Sequence, residues 1–306
     1  MCKHIPVLLD EFLKYLPTKK DGIALDCTLG FAGHSEALLN TAPNLKLIAC
    51  DKDEDALEFS KTKLKKFGDR VKIIKSDFKD IFSKLSTDEI KNLRFILADI
   101  GVSSYQLDED ERGFSTNSNF LDMRMDKSMN FNAKKLVNSY SKEDLQRIFM
   151  DFAELKDAKN IAEKIYSYRL KKQIESAKEL RQIIGKEKLK GRSISKATLV
   201  FQAIRIEVNS ELKALETLLK NLEQNALKDC IVAIISFHSL EDGLVKKFFK
   251  QWSKSCVCGE MAYKCTCGNN NSKGEILSKK PIQATLDEIK ANSRSSCAKM
   301  RLFYFR

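Results

Sequence analysis

The most informative part of this chain for predicting its fold is the stretch Asp26-Cys27-Thr28-Leu29-Gly30-Phe31-Ala32-Gly33-His34-Ser35. It follows the apolar run Ile23–Leu25, and a second apolar run, Leu45–Cys50, ends at Asp51. This order of strand, glycine turn, helix, strand and acidic residue builds a nucleoside site at the carboxyl ends of parallel strands. The two glycines let the backbone turn tightly and approach a ligand. The alternative is a purely structural turn, which is common between strands and helices.

The spacing of the glycines indicates which kind of nucleoside would bind. Gly30 and Gly33 form Gly-x-x-Gly, whereas a dinucleotide-binding turn has Gly-x-Gly-x-x-Gly. The pattern therefore disfavours a pyrophosphate cradle, and with it a nicotinamide dehydrogenase. It favours a nucleoside without phosphates, such as S-adenosylmethionine. Asp51, about twenty residues after the turn, is suited to accept both hydroxyls of a ribose.

Composition sets the broad class of protein. The 306 residues, 43% of them hydrophobic, suit two domains or one large domain with an insertion. We find no apolar run of the ~18 residues that span a membrane, and no continuous apolar segment typical of a signal peptide. We therefore expect a cytoplasmic protein with reduced thiols. The net charge of +12 favours polyanionic partners, unless it only reflects a Lys-rich composition.

Strand and helix patterns alternate in the first third of the chain, and strand patterns return near its end. The predicted strands are Ile23–Cys27, Leu45–Cys50, Val71–Ile74, Phe95–Ala98, Ile231–Ile235 and Met300–Phe305. From about Ala133 to Asn225 the apolar spacing is helical, with a basic linker at Gly185–Ser195 and one long amphipathic helix through Phe201 and Leu215. The simplest architecture is one α/β domain interrupted by a helical insertion, with both halves contributing to one sheet.

Each predicted strand ends in residues that suit a ligand with an adenine, a ribose and a zwitterionic tail. These ends meet over the crevice in which open α/β sheets bind ligands. Asp51 suits the ribose, Phe78 the adenine face, and Asp99 the ammonium of the tail. The alternative is that these residues are solvated caps and turns.

Several motifs, in the right order along the chain, carry a family resemblance. They are His4–Leu9, Asp26–Ser35, Asp99–Ser104, Arg112-Gly113-Phe114, Leu121–Asp126, Phe201–Ile206, Ile235–Asp242 and Ala298–Arg301. Together they resemble the bacterial RsmH (MraW) family. The resemblance implies S-adenosylmethionine-dependent methylation of N4 of a cytidine in the decoding region of small-subunit (16S) ribosomal RNA.

The resemblance also implies a fold and a set of cofactor residues. The fold is an α/β class I (Rossmann-like) methyltransferase sheet, formed by residues 1–107 and 210–306. The inserted all-helical domain spans residues 108–209 and would recognise RNA. The family's cofactor residues match Ala32, Gly33, His34, Asp51, Phe78, Asp99 and Gln106. Two positions depart from the family pattern, because Leu199 and Gly243 stand where the family usually has arginine.

Methyl transfer to an exocyclic amine needs alignment and a proton acceptor near the amine, but no nucleophilic cysteine. Asp99, Ser103 and His238 are the candidate catalytic residues. The target base must leave its stack to reach the methyl group.

Four residues just after the cofactor strands are candidates for the pocket that binds the flipped base. They are Arg112, Phe114, Met123 and Arg124. For Met123 and Arg124 the alternative role is docking the insertion on the sheet.

A cysteine cluster lies near the C-terminus. Cys256, Cys258, Cys265 and Cys267 are candidate ligands of a structural zinc ion. Their Cys-x-Cys spacing is less typical of zinc sites than Cys-x2–4-Cys, and the alternative is a reduced loop.

Two other functions stay open. A DNA amino-methyltransferase is disfavoured because the Asp/Asn-Pro-Pro-aromatic element of such enzymes is missing. A non-catalytic RNA-binding assembly factor is disfavoured by the intact glycine turn and strand-end carboxylates. The expected partners are the small ribosomal subunit and its rRNA, with no DNA and no membrane, and the sequence leaves the oligomeric state open.

Overall fold

The computed structural model describes residues 6–185, 194–225, 227–259 and 263–306. His4 and Ile5 of the first motif, and residues 186–193 of the predicted linker, lie outside the described residues. The chain divides into two compact units. The first consists of Met1–Gly101 and Ala214–Arg306, and the second is Val102–Lys213. The second unit therefore has slightly wider bounds than the predicted insertion of residues 108–209.

The first unit is built around one β-sheet. The strands found in the described residues are β1 (Gly22–Asp26), β2 (Leu45–Asp51), β3 (Val71–Lys75), β4 (Leu93–Asp99), β5 (Cys230–Ser236), β6 (Gly274–Ile276), β7 (Ile282–Gln283) and β8 (Lys299–Phe305). Their order is β3-β2-β1-β4-β5-β8-β6, with β7 also beside β8. Strands β1 to β5 are parallel, and β8 is antiparallel to β5. All six predicted strands are confirmed, and so is the α/β sheet.

The order of the strands fixes where a ligand would bind. From β1 the chain proceeds through β2 to β3 on one side, then returns to β4 on the other side of β1. Asp26 at the end of β1 is opposite Ala49 of β2 and Leu97 of β4. Open parallel sheets bind ligands beside the carboxyl ends of the strands at this kind of switch point. The glycine turn begins there.

Helices connect the strands and form the second unit. In the described residues they are α1 (Leu9–Leu13), α2 (Gly33–Thr41), α3 (Glu54–Leu64), α4 (Thr87–Lys91), α5 (Ser104–Asp108), α6 (Ala133–Ser139), α7 (Lys142–Asp151), α8 (Ala158–Arg169), α9 (Ala177–Ile184), α10 (Lys196–Asn209), α11 (Glu211–Gln224), α12 (Ser239–Trp252) and α13 (Leu286–Ala291). None of the helices in the described ranges is long and apolar enough to cross a membrane. The predicted long amphipathic helix was wrong. It is two helices, because Ser210 has a left-handed φ of 50°.

Alternate residues of the strands belong to two apolar layers, one on each face of the sheet. In β2, Leu47 shares an apolar cluster with residues of α1 and α2. Its neighbour Ile48 belongs to a second cluster, with residues of α11 and α12. Because both faces of the parallel strands are covered, the polar residues of this region concentrate at the strand ends.

The second unit has its own apolar core, formed mainly by α6 to α10. Asn209, at the end of α10, fixes the loop that carries the Leu121–Asp126 motif. Its Nδ2 donates to the carbonyl of Met123, and its Oδ1 accepts from the N–H of Met125, both at 2.8 Å. This motif is therefore a folded part of the second unit.

Candidate active site

The turn between β1 and α2 depends on two residues with left-handed backbone. Gly30 has a φ of 48° and Ala32 a φ of 55°. At Gly33, the first residue of α2, a Cβ would lie 2.3 Å from Cγ of Pro6. At Gly30 the same added atom would have no neighbour closer than 3.9 Å. Position 33 therefore requires glycine because Pro6 packs against it. At position 30, by contrast, no atom packs closely against the backbone.

The carboxylate of Asp51, at the end of β2, holds this turn. Its Oδ2 accepts from the N–H of Gly30 at 2.8 Å, and its Oδ1 accepts from the N–H of Asp53 at 2.9 Å. Burial raises the pKa of Asp51 above its ordinary value. Each carboxylate oxygen has two lone pairs, so one acceptor position on each oxygen is left for a pair of hydroxyls. This geometry fits a ribose.

Asp26 and Thr28 tie the turn to the neighbouring strands. The buried Asp26 accepts from the Thr28 N–H at 3.0 Å and from the Ser35 hydroxyl at 2.7 Å. Burial raises the pKa of Asp26 to about 6. The Thr28 hydroxyl oxygen accepts from the N–H of Asp99 at 2.7 Å. The ends of β1 and β4 are thereby fixed side by side.

Asp99, the last residue of β4, carries an unsatisfied acceptor. Within the part of the chain that the structure describes, its Oδ1 is buried and has no hydrogen-bond partner. Burial, with the negative charges of Asp26 and Glu241, raises the pKa of Asp99 to about 8. An unpaired buried polar atom is costly, and a donor from a ligand would remove that cost here. An ammonium group, with three N–H donors and a positive charge, would satisfy it.

His34 lies beside Asp99. Its Nε2 is 2.9 Å from the carbonyl oxygen of Val7, which can only accept, so Nε2 carries the proton. Its Nδ1 lies 3.8 Å from Oδ2 of Asp99. The ring is buried and packs edge-on against Phe12, with centroids 5.1 Å apart. The His34 ring therefore lies beside the Asp99 carboxylate and lines one side of the candidate ligand site.

Phe78 follows β3 and is only partly buried against the apolar layer of α11 and α12. Asp77, immediately before it, accepts from the Lys79 N–H at 3.1 Å and lies 3.2 Å from Nζ of Lys52. The backbone at Phe78 is thus anchored while part of its ring stays accessible. An accessible ring at this end of the sheet is suited to cover an adenine.

Comparison with known proteins identifies the family of this chain. A family model described as the MraW methylase family matches residues 1–306. The chain belongs to the MraW methylase family. The resemblance found in the sequence motifs is thereby confirmed, and the chain is an enzyme of the methyltransferase class.

Several curated proteins are similar to this chain over almost its whole length. The chain is 59% identical over 302 residues to a protein of Campylobacter jejuni, covering 99% of this chain and 97% of the relative. It is 59% identical over 304 residues to one of Campylobacter lari, covering 99% of both. It is 56% identical over 303 residues to one of Campylobacter fetus, covering 99% and 98%. All three relatives are named "Ribosomal RNA small subunit methyltransferase H".

His238 of this MraW methylase caps α12. Its Nδ1 accepts from the Glu241 N–H at 3.5 Å, and its Nε2 lies 3.0 Å from Oε1 of Glu241. The other oxygen of the buried Glu241 accepts from the Phe237 N–H at 2.9 Å. Nδ1 of His238 therefore caps the first turn of α12, whereas its Nε2 has no hydrogen-bond partner among the described residues although Oε1 of Glu241 is close. The catalytic role of His238 stays a prediction.

Ser103 and Gln106 belong to the second unit, where they cap α5 reciprocally. The Gln106 N–H donates to the Ser103 hydroxyl at 3.2 Å, and the Ser103 N–H donates to Oε1 of Gln106 at 3.0 Å. This is a capping box, which stabilises the start of a helix. The predicted cofactor role of Gln106 and catalytic role of Ser103 stay predictions.

The four predicted RNA-binding residues also belong to the second unit. Phe114 and Met123 are buried in its apolar core. Arg112 is buried, and its Nη2 donates to the carbonyls of Arg124 and Met125, both at 3.0 Å. Arg124 forms a bidentate ion pair with Asp122, in which its Nε and Nη2 each donate to one carboxylate oxygen at 2.8 Å. All four side chains support the fold of this unit, and their contact with RNA stays a prediction.

The four cysteines predicted to bind metal lie together. The sulfurs of Cys256, Cys258, Cys265 and Cys267 are all within 4.8 Å of one another. The Val257 N–H lowers the pKa of Cys267 to about 6, and the Thr266 N–H lowers the pKa of Cys258. These shifts favour thiolates at Cys258 and Cys267, whereas hydrogen bonds to the neighbouring sulfurs raise the pKa of Cys256 to about 11.

Sequence reasoning missed three residues of the strand-end site. Asp26 and Glu241 supply the negative charges that raise the pKa of Asp99, and Thr28 positions its backbone. Asp26 had a signal in the sequence, because it is a carboxylate at the end of an apolar strand. Glu241 and Thr28 had no such signal, since their contacts with their partners depend on the tertiary fold.

Proposed function

We propose that this chain methylates N4 of a cytidine in the decoding region of small-subunit (16S) ribosomal RNA, with S-adenosylmethionine as methyl donor. The relatives' shared name supports the substrate class, since the chain covers nearly all of each relative. The observation that best supports cofactor binding is the Oδ1 atom of Asp99. Among the described residues it is buried beside the glycine turn and has no hydrogen-bond partner.

The strand-end residues fit the three parts of S-adenosylmethionine. Asp51 would take the ribose hydroxyls, because one acceptor position on each of its oxygens is left. Phe78 would cover the adenine. Asp99 would bind the ammonium of the methionine tail, with Ala32, Gly33 and His34 bordering the turn. Gln106 stays a proposed cofactor residue of the second unit.

S-adenosylmethionine would supply a methyl group that is already electrophilic. The contribution of the protein is then to hold the amine in line with the methyl group and the sulfur, and such orientation supplies roughly 7–11 kcal/mol. The amine would take the methyl group from the sulfonium as the carbon–sulfur bond breaks, and the nitrogen would then release a proton. Asp99 and Ser103 are the proposed proton acceptors, with His238 third. Asp99 could accept the proton only in its ionised form, which the bound ammonium of the methionine tail would favour.

The proposed partners are the small ribosomal subunit and its rRNA, and the proposed compartment is the cytoplasm. The net charge of +12 supports a polyanionic partner, because phosphate contacts dominate RNA affinity. Arg112, Phe114, Met123 and Arg124 are proposed to shape the substrate side through the loop they stabilise. The zinc ion predicted at the four cysteines has no part in this reaction, because amine attack on a sulfonium methyl needs no metal.

Transfer of labelled methyl from S-adenosylmethionine tests the proposal. The acceptors are small subunits lacking the modification, with large subunits and DNA as controls. We expect labelling of the small subunit alone, a strong loss in Asp99→Asn, and no loss in Asp69→Asn, whose residue is exposed outside the site. Labelling of DNA, or no labelling of any acceptor by a protein that binds S-adenosylmethionine, would contradict it.

A further inference from the structure

The described residues of the segment 253–273, between α12 and β6, form no hydrophobic core of their own. Backbone hydrogen bonds close its base, from Lys273 N–H to the Trp252 carbonyl at 2.8 Å and from Asn271 N–H to the Ser255 carbonyl at 3.0 Å. Among its described residues, none is buried. A segment that cannot bury apolar surface usually needs a disulfide or a metal ion to keep one conformation.

The distances between the sulfurs match those around a single tetrahedral ion. Cys256 and Cys265 are 3.7 Å apart, Cys265 and Cys267 3.6 Å, and Cys256 and Cys267 3.8 Å. Zinc–sulfur bonds of about 2.3 Å at tetrahedral angles place the sulfurs about 3.8 Å apart. The sulfurs of Cys256, Cys265 and Cys267 thus already stand at the separation that zinc would impose, and the sulfur of Cys258 lies within 4.8 Å of them.

The same distances disfavour disulfides and iron–sulfur clusters. All four cysteines are free thiols, and the sulfur of Cys256 lies almost equally far from those of Cys265 and Cys267. A disulfide would single out one partner for each sulfur. In an iron–sulfur cluster the four thiolates are divided over two or four iron atoms, so they are not all as close together as the ligands of a single ion. A shared mononuclear ion accounts for equal spacing.

The backbone of the loop supports the sulfurs in a symmetric way. In each Cys-x-Cys arm, the N–H of the middle residue donates to the second cysteine of the other arm. Val257 N–H lies 3.4 Å from the sulfur of Cys267, and Thr266 N–H lies 3.3 Å from the sulfur of Cys258. A glycine, Gly259 or Gly268, follows each arm. Two matching arms that face each other form a closed set of four ligands.

We propose that Cys256, Cys258, Cys265 and Cys267 bind one zinc ion in a closed, structural site that fixes the segment between α12 and β6. Four sulfur ligands in tetrahedral arrangement are typical of zinc. Because all four positions are taken by protein, no position is open for a catalytic water. The site is therefore independent of methyl transfer.

The test measures metal in the full chain, purified without chelators. We expect about one zinc per chain in the parent protein and in Cys297→Ser, and none in Cys256→Ser/Cys265→Ser. Cys297 is the matched control, because it is an exposed thiol outside the cluster. Negligible zinc in the parent, or equal zinc in the double variant, would overturn the proposal.

A second measurement avoids dependence on the folding of the double variant. Cobalt is added to the parent protein after zinc has been removed, and its visible spectrum reports coordination. We expect the intense bands of tetrahedral cobalt with thiolate ligands, and their loss when zinc is added back. A spectrum of hexahydrated cobalt would overturn the proposal even if the protein remained folded and bound S-adenosylmethionine.

Discussion

Oδ2 of Asp51 accepts a hydrogen bond from the N–H of Gly30 at 2.8 Å, so the end of β2 holds the turn that follows β1. One carboxylate thereby shapes the site and still offers acceptor positions to a ligand. This double use explains why the acidic residue follows the turn by one β-α unit in the sequence. It also predicts the consequence of removing the carboxylate.

Asp51→Ala should weaken the binding of S-adenosylmethionine roughly 10- to 100-fold, because hydrogen bonds to a charged group contribute about 1.5–3 kcal/mol. RNA binding should persist. Calorimetry of cofactor binding measures the first effect and a filter-binding assay the second. Asp69→Ala, at an exposed position, is the control. Unchanged cofactor affinity in Asp51→Ala would refute the role of this carboxylate.

Asp99 should make stability depend on pH. In the folded protein the Asp99 carboxyl keeps its proton up to about pH 8, because burial raises the pKa of Asp99. In the unfolded chain an ordinary Asp carboxyl loses its proton near pH 4. The folded state then binds more protons, so the free energy of unfolding should fall as pH rises through this range. The slope contributed by one proton is at most about 1.4 kcal/mol per pH unit.

Denaturant unfolding of the parent and of Asp99→Asn, between about pH 6 and pH 8, measures this effect. The range lies above the raised pKa of Asp26, which is about 6. Asp99→Asn should show a flatter dependence, and Asp69→Asn should follow the parent. Parallel curves for parent and Asp99→Asn would show that Asp99 has an ordinary pKa.

Replacing Gly101 and Gly243 by alanine should have opposite effects on the stability of the protein. Gly101, after β4, has a φ of 144°, and a Cβ there would lie 3.0 Å from Cδ2 of Phe237. Gly243 lies inside α12, and a Cβ there would meet no atom within 4 Å. Gly101→Ala should therefore destabilise the protein, whereas Gly243→Ala should stabilise it by about 0.5–1 kcal/mol, since alanine favours helix. Thermal unfolding of both variants gives the comparison, and equal shifts would contradict the geometry.

RNA binding should weaken steeply with salt. Each phosphate contact to single-stranded RNA contributes a slope of about 0.7 to the dependence of log affinity on log salt. Binding of S-adenosylmethionine over the same salt range is the internal control, because it releases no condensed counterions. A flat profile for RNA would show that the net charge of +12 is not the basis of its binding.

Periodicity predicted the fold well where elements are long. The runs Leu45–Cys50 and Phe95–Ala98 became β2 and β4 because several consecutive apolar residues favour a buried strand. It failed at Ser210, where one left-handed residue splits a helix without changing the apolar spacing. The two-residue β7 was missed because it is too short to carry a pattern.

Part of the candidate site could also be predicted, because the apolar runs that predict the strands also predict where the strands end. Asp51 and Asp99 stand at strand ends, and strand ends can be read from the sequence. The hydrogen bonds of Arg112 to main-chain carbonyls could not be predicted, since an arginine of an RNA-binding protein is ordinarily expected on the surface. The Ser103–Gln106 capping box did have a signal, Ser-x-x-Gln, which suggests a helix start as well as a ligand site.

The identity of the methylated nucleoside tests the proposed methylation of N4 of a cytidine. Small subunits lacking the modification are incubated with the protein and S-adenosylmethionine, and their rRNA is digested and analysed by mass spectrometry. We expect N4-methylated cytidine, with none formed by Asp99→Asn. A methyl group on another atom, such as C5 of a cytosine or a ribose 2′-oxygen, would contradict this proposal.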